Sequence, residues 1–299
     1  MGKASRTKQD SSRRERIAAQ RAAQRRAETR NRVLLASGAV VVVIAVVVAL
    51  VLVKTTAKSK PPSGVSNGPT GAALAKVVSQ ATSVPASVLD QVGAGSGVTP
   101  PSKISGSPLT SGGKPEMFYL GAEYCPYCGF ERWGMVVALS RFGTFSGLHT
   151  THSSSTDVFP NTATWTFYKS TFTSKYLTFT PVEETTNVPD KSAPLGYVPL
   201  QSPTAAQQAL ISHYNPSGAA FPWVDFGNQY QISGASASPQ VLQGKSWSQI
   251  AAALHDPSSS IAKAVDGTAN YMTAAICKLT NDQPASACTP AVKALQTKL

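Results

Sequence analysis

An unbroken apolar run, VLLASGAVVVVIAVVVALVLV at residues 33–53, constrains this chain more than any other feature. Its 21 positions carry no charge. A helix of that length, rising about 1.5 Å per residue, matches the roughly 30 Å hydrocarbon core of a bilayer. An element of a globular core shows one apolar face, or stops sooner. The run therefore predicts a single transmembrane helix. Residues 1–32 hold eleven of the Lys/Arg residues against three acids, a net +8 out of the chain's +12. The positive-inside bias then puts the N-terminus in the cytoplasm and residues 54–299 outside. The run exceeds a signal-peptide core, and Thr55-Thr56-Ala57 is a poor cleavage site, so an uncleaved anchor is the better reading. The basic tail reads either as a helix on the anionic inner leaflet or as a solvated charge run that only sets orientation. It lacks any aromatic or recognisable reading element, which argues against a nucleic-acid partner.

The compartment decides how the cysteines read. Outside the membrane thiols tend to be oxidised, and the chain has four, an even number that suggests pairing. Two stand close together in GAEYCPYCGFERW, residues 121–133. Ahead of them KPEMFYLGAEY, residues 114–124, predicts a strand; after them Phe130, Trp133 and Val137 recur at helical spacing. Cys125 and Cys128 thus fall at a helix N-terminus, where unpaired N–H groups and the helix dipole favour a thiolate. Three readings stay open for the pair: a redox couple, an inert bridge, or half of a metal site. Metal is the weakest, since zinc takes about four ligands and no second close CxxC or Cys/His pair exists. His149 and His152 form an HxxH in Ser/Thr-rich surroundings and read as exposed residues of a loop or strand end. Glu131 and Arg132, just past the second cysteine, could tune the thiolate or orient a substrate, but the simpler reading places them on the solvated face of the helix. No metal and no cofactor is expected.

Around this centre the chain divides into a basic cytoplasmic tail (1–32), a transmembrane helix (33–53), an extracytoplasmic linker with short helices (54–113) and an α/β domain with a C-terminal helical extension (114–299). Two short helices are expected in 72–93, the second opened by Ser83 and Pro85 and stopped at Gly93. Residues 162–180 alternate polar and aromatic side chains as strands do. A helix near 202–215 has Pro203 at a first helical position. A strand after Pro222 turns at Gly227-Asn228 into a second, Tyr230 to Ser233. Helices follow near 247–256 and 258–280. Cys277 and Cys288 lie outside any CxxC; a disulfide fastening the C-terminal helix to the segment after Pro284 is the simplest reading, with a second redox pair as the alternative.

The residues GAEYCPYC resemble the thioredoxin superfamily, whose active-site strand commonly ends Ala-Glu-Trp-Cys. Ala122, Glu123 and Cys125 match, Tyr124 replaces the Trp, and Pro126-Tyr127 is the dipeptide of many glutaredoxins. The run GAEYCPYCGFERWGMVVALSRFGTF, with VPASVLDQVGAG before it and AICKLTNDQPASAC near the end, is similar to a membrane-anchored, thioredoxin-like family catalogued as domain of unknown function 929, over about residues 75–295. The resemblance implies a thioredoxin-like fold with insertions. It also implies a cis-proline beside the cysteines, for which Phe221-Pro222 is the candidate. Two departures stand out. Cys125 and Pro222 are 97 positions apart, leaving room for inserted elements. Tyr119 occupies the place, six residues before the first cysteine, where thioredoxins carry a buried acid, so proton transfer must use water, Glu123 or another group.

Together these readings lead us to expect a membrane-anchored thiol–disulfide oxidoreductase or isomerase outside the cell membrane. Cys125 attacks and Cys128 resolves. Phe221, Pro222, Tyr124 and Tyr127 shape the substrate edge, and the partners are protein thiols or disulfides, the bilayer, and in one reading a membrane electron donor. The alternative is a non-catalytic thioredoxin-like binding module whose cysteines are merely bridged.

Overall fold

The computed structural model describes residues 68–216 and 221–299. The expected tail, the membrane span and the start of the linker lie outside them. Among the described residues no helix is long and apolar enough to cross a membrane.

Helices α1 (Gly71–Thr82) and α2 (Ala86–Val92) come first. Pro85 caps α2, and Gly93 ends it at φ +56°, where its N–H donates to the Leu89 carbonyl. Strands β1 (Ser102–Lys103) and β2 (Thr110–Ser111) lead into β3 (Lys114–Gly121) and then α3 (Pro126–Ser140). A run of small strands follows: β4 (Gly143–Ser146), β5 (His149–His152), β6 (Ala163–Thr166) and β7 (Thr171–Ser174). β4 pairs with β7 and β5 with β6, both antiparallel. β8 (Thr178–Glu183) returns beside β3, and β9 (Thr185–Pro189) folds back on β10 (Tyr197–Pro199). The chain ends with α4 (Ala205–Tyr214), β11 (Trp223–Phe226), β12 (Tyr230–Ser233), α5 (Trp247–Ala253), α6 (Ser260–Leu279) and α7 (Pro290–Leu295).

This is a mixed α/β architecture built on β3. β11 lies antiparallel along one side of β3, extended by β12 and β1, while β8 runs parallel to it. A parallel pair needs a long crossover, and α3 with its small antiparallel strands supplies it. Because side chains alternate along a strand, β3 serves two cores. Met117 and Tyr119, with Val224 and Phe226, pack in the larger core that includes α3 and α6. Phe118 and Leu120, with Val182 and Trp223, form a smaller one with Ile211 of α4. Helices α3 and α6 approach closely at Gly134: a Cβ there would lie 2.9 Å from Thr268 Cγ2.

Most sequence expectations for individual elements hold, with small shifts. The β11–β12 turn takes Gly227 and Asn228 at positive φ, as the Gly-Asn pair implied. α4 starts two residues beyond Pro203, because Thr204 is the N-cap and forms a reciprocal capping box with Gln207. β3 stops at Gly121 rather than reaching Tyr124: the Cys125 N–H turns back to the Ala122 carbonyl, and the Glu123 N–H goes to Thr185. Cys277 and Cys288 form a disulfide with Cα atoms 5.8 Å apart, joining the end of α6 to the segment before α7.

Candidate functional site

Where β3 ends and α3 begins, Cys125 is the helix N-cap and Pro126 occupies the first helical turn, where a missing N–H is harmless. The Cys125 Sγ accepts the backbone N–H of Cys128 at 3.3 Å, a sulfur in the role usually taken by an N-cap oxygen. It also stands 4.0 Å from the Phe221 carbonyl, to which it can donate only when protonated. The Phe221–Pro222 bond is cis, and Pro222 is buried against the start of β11. Cys125 keeps 6% exposure and Cys128 none. Neither is bridged.

The two thiols are driven apart. A hydrogen bond from the Cys128 thiol pulls Cys125 below its ordinary value, helped by the Cys128 N–H and the charge of Arg132, while burial opposes. Burial pushes Cys128 well up, and its role as donor to Cys125 adds to this. Of the two, Cys125 is the one favoured as a thiolate and Cys128 the one favoured to keep its proton.

Beneath the cysteines lies a charged centre that corrects the expectation of a solvated helix face: Glu131 and Arg132 are both fully buried. The distribution follows from helix geometry, since Arg132 is one turn past Cys128 on the same face of α3. Its Nε and Nη2 donate to Glu183 Oε1 and Oε2 at 2.8 and 2.6 Å, and Nη2 also donates to the Ala122 carbonyl at 2.7 Å. Glu183 is buried as well, at the end of β8 beside Gly121. Tyr119, which stands where thioredoxins keep an acid, packs its ring 5.9 Å from the Arg132 guanidinium. The buried acid of this site thus comes from the neighbouring parallel strand. Register carries the signal: Phe179, Pro181 and Glu183 share one face of β8, so a carboxylate continues a row otherwise facing the core. Glu131 accepts the Ser236 N–H and hydroxyl at 2.9 and 2.8 Å, and burial lifts it to about 7. Glu123, the acid named from sequence as a proton carrier, is half-buried and accepts from Thr151 Oγ1 at 3.5 Å.

Aromatic side chains from β10 and from the connection between β5 and β6 pack against the tyrosines that precede the two cysteines. Tyr124 stacks flat on Tyr197 of β10 at 4.2 Å, and Tyr127, 39% exposed, meets Phe159 edge-on. The exposed large hydrophobics among the described residues are Tyr127 of α3 and Val158, Val188, Leu195 and Val198, which lie between β5 and α4. Sequence reading does not find Tyr197 and Phe159, because one opens a three-residue strand and the other lies in a connection, both too short to show periodicity. His149 and His152 sit three apart on β5 and so point to opposite faces. His152 Nδ1 lies 2.9 Å from the Ser153 carbonyl. Among the described residues, the one group of potential metal ligands is Cys277, Asp282 and Cys288, whose two sulfurs are already bonded to each other.

No curated protein and no solved structure matches the chain. A family model described as domain of unknown function (DUF929) matches residues 100–278, which run from β1 into α6 and hold the cysteine pair, Arg132, Glu183 and Pro222. The chain belongs to that family.

Proposed function

We propose that this protein is a thioredoxin-like thiol–disulfide oxidoreductase or isomerase, anchored by residues 33–53 and acting outside the membrane on exported or membrane proteins. The observation that carries this reading is the asymmetry of the pair. Cys125 caps α3 with the less buried sulfur of the two, 6% exposed and depressed toward the thiolate, while Cys128 has no exposure and its thiol is pushed up. In the reducing direction Cys125 Sγ attacks one sulfur of a substrate disulfide. A new S–S bond forms to Cys125, and the other substrate sulfur leaves as a thiolate and takes a proton. Cys128 then gives up its proton and attacks Cys125 Sγ, closing the 125–128 disulfide and releasing the second substrate thiol. Two electrons pass from the pair to the substrate; run backwards, the bridged pair oxidises a substrate dithiol. The aromatic rim of Tyr124, Tyr127, Phe159 and Tyr197 suits polypeptide segments that expose apolar side chains.

That rim equally favours a second reading, a binding module whose cysteines do no exchange. Cys128→Ser separates the two. The redox reading expects reductant-sensitive covalent adducts on the full chain that disappear when Cys125 is also replaced. A clean non-reducing gel from an oxidising extract would favour the binding module.

A further inference from the structure

We infer that Arg132, held by Glu183, is the positioning residue that makes the Cys125–Cys128 pair an oxidant: its buried cation favours the thiolate of the reduced form, and Glu183 sets how much of that charge the sulfurs feel. This rests on the redox reading and gives it a direction.

The geometry is specific. Arg132 has no solvent exposure, and its Nη1 has no partner among the described residues. Burying an ion pair costs several kcal/mol per ion before its attraction is counted, and a salt bridge so placed is weak support for stability alone. What the pair does instead is visible in its contacts. Arg132 Nη2 donates to the same Ala122 carbonyl that receives the Cys125 N–H at 3.3 Å, so the cation grips the turn that presents the sulfur. The carboxylate's other partner is the Phe167 N–H at 3.3 Å. Of the two, the guanidinium is the member whose charge pulls both thiols down. Preorganised charge in a water-poor site acts more strongly than in solvent. Stabilising the thiolate stabilises the dithiol form over the disulfide, and a stabilised reduced form is what makes such a pair a strong oxidant.

The two partners must then act with opposite sign. The test equilibrates the full, detergent-solubilised chain with glutathione buffers and reads the fraction of bridged Cys125–Cys128 peptide by mass. The balance is dithiol plus glutathione disulfide giving the protein disulfide plus two glutathione thiols. Arg132→Met shifts the equilibrium at least tenfold toward the disulfide, a potential about 30 mV lower. Glu183→Gln leaves the cation uncompensated and shifts it at least threefold the other way. Arg132→Lys keeps the charge and stays within threefold of the parent. Should Arg132→Met lose its native near-ultraviolet circular dichroism, the Glu183→Gln shift decides alone. A purely structural pair would move neither equilibrium, or both in one direction, and either result overturns the inference while leaving exchange intact. A parent protein that does not exchange with glutathione overturns the redox reading itself.

Discussion

Cys125 and Cys128 open a helix, whereas Cys277 lies near the end of one and is bonded to Cys288. The element is chemically the same at both ends, yet its dipole has opposite sign. At the N-terminus of α3, free N–H groups point at the first sulfur and a buried arginine adds a second positive source. At the C-terminus of α6 the unpaired groups are carbonyls, which disfavour a thiolate. The second pair also has a mechanical task. It fixes the last helical segment to α6, closing a loop of 11 residues' separation. In the proposed reading one pair opens and closes while the other stays shut.

Replacing one pair and then the other breaks the comparison most sharply. Cys125→Ser is expected to abolish disulfide exchange, with rates falling at least a thousandfold. The double change Cys277→Ala/Cys288→Ala is expected to leave exchange within a few-fold and to lower unfolding stability by about 3 kcal/mol, measured by denaturant titration. Loss of exchange in the second variant would make Cys277 and Cys288 part of the redox path.

A smaller effect concerns the buried acids that the same two helices carry. Burial raises Asp266 of α6, whose oxygens have no hydrogen-bond partner, to about 8, and Glu131 of α3 to about 7. Both folded values lie above the unfolded ones of about 3.9 and 4.3. The folded chain therefore keeps protons that the unfolded chain has lost. This contribution to stability is complete below about pH 4 and is lost as the pH rises through 7 and 8. Asp266→Asn is expected to remove much of that slope, gaining roughly 2 kcal/mol at pH 9 relative to pH 5. Glu131→Gln gains less, about 1 kcal/mol, because one of the two Ser236 donors then faces an amide N–H. Urea unfolding at both pH values measures this; equal slopes in parent and Asp266→Asn would show that the carboxyl is not held neutral.

The strand, cysteine pair and helix were legible because period, proline and spacing are local: Met117 to Leu120 read as a buried strand and Phe130, Trp133 and Val137 as a helix face. The Phe221–Pro222 candidate was legible only through family resemblance, as nothing local marks which proline lies beside the sulfurs. Arg132 was misread, since a charged residue next to a CxxC defaults to the surface until its partner is found. That partner, Glu183, lies 51 residues away and meets it only because β8 pairs with β3 in one register. The aromatic neighbours Tyr197 and Phe159 depend likewise on how the β9–β10 pair and the β5–β6 connection fold back. Sequence carries the local chemistry of this site, and long-range pairing supplies its charge and its walls.

The most direct measurement is the pH dependence of alkylation at each cysteine of the mildly reduced full chain, read by peptide mass with a free cysteine peptide as reference. The account predicts that Cys125 is modified with a midpoint below that of the reference peptide, while Cys128 stays unmodified until the protein unfolds. Inertness of both, or a Cys125 midpoint above the reference, would contradict it.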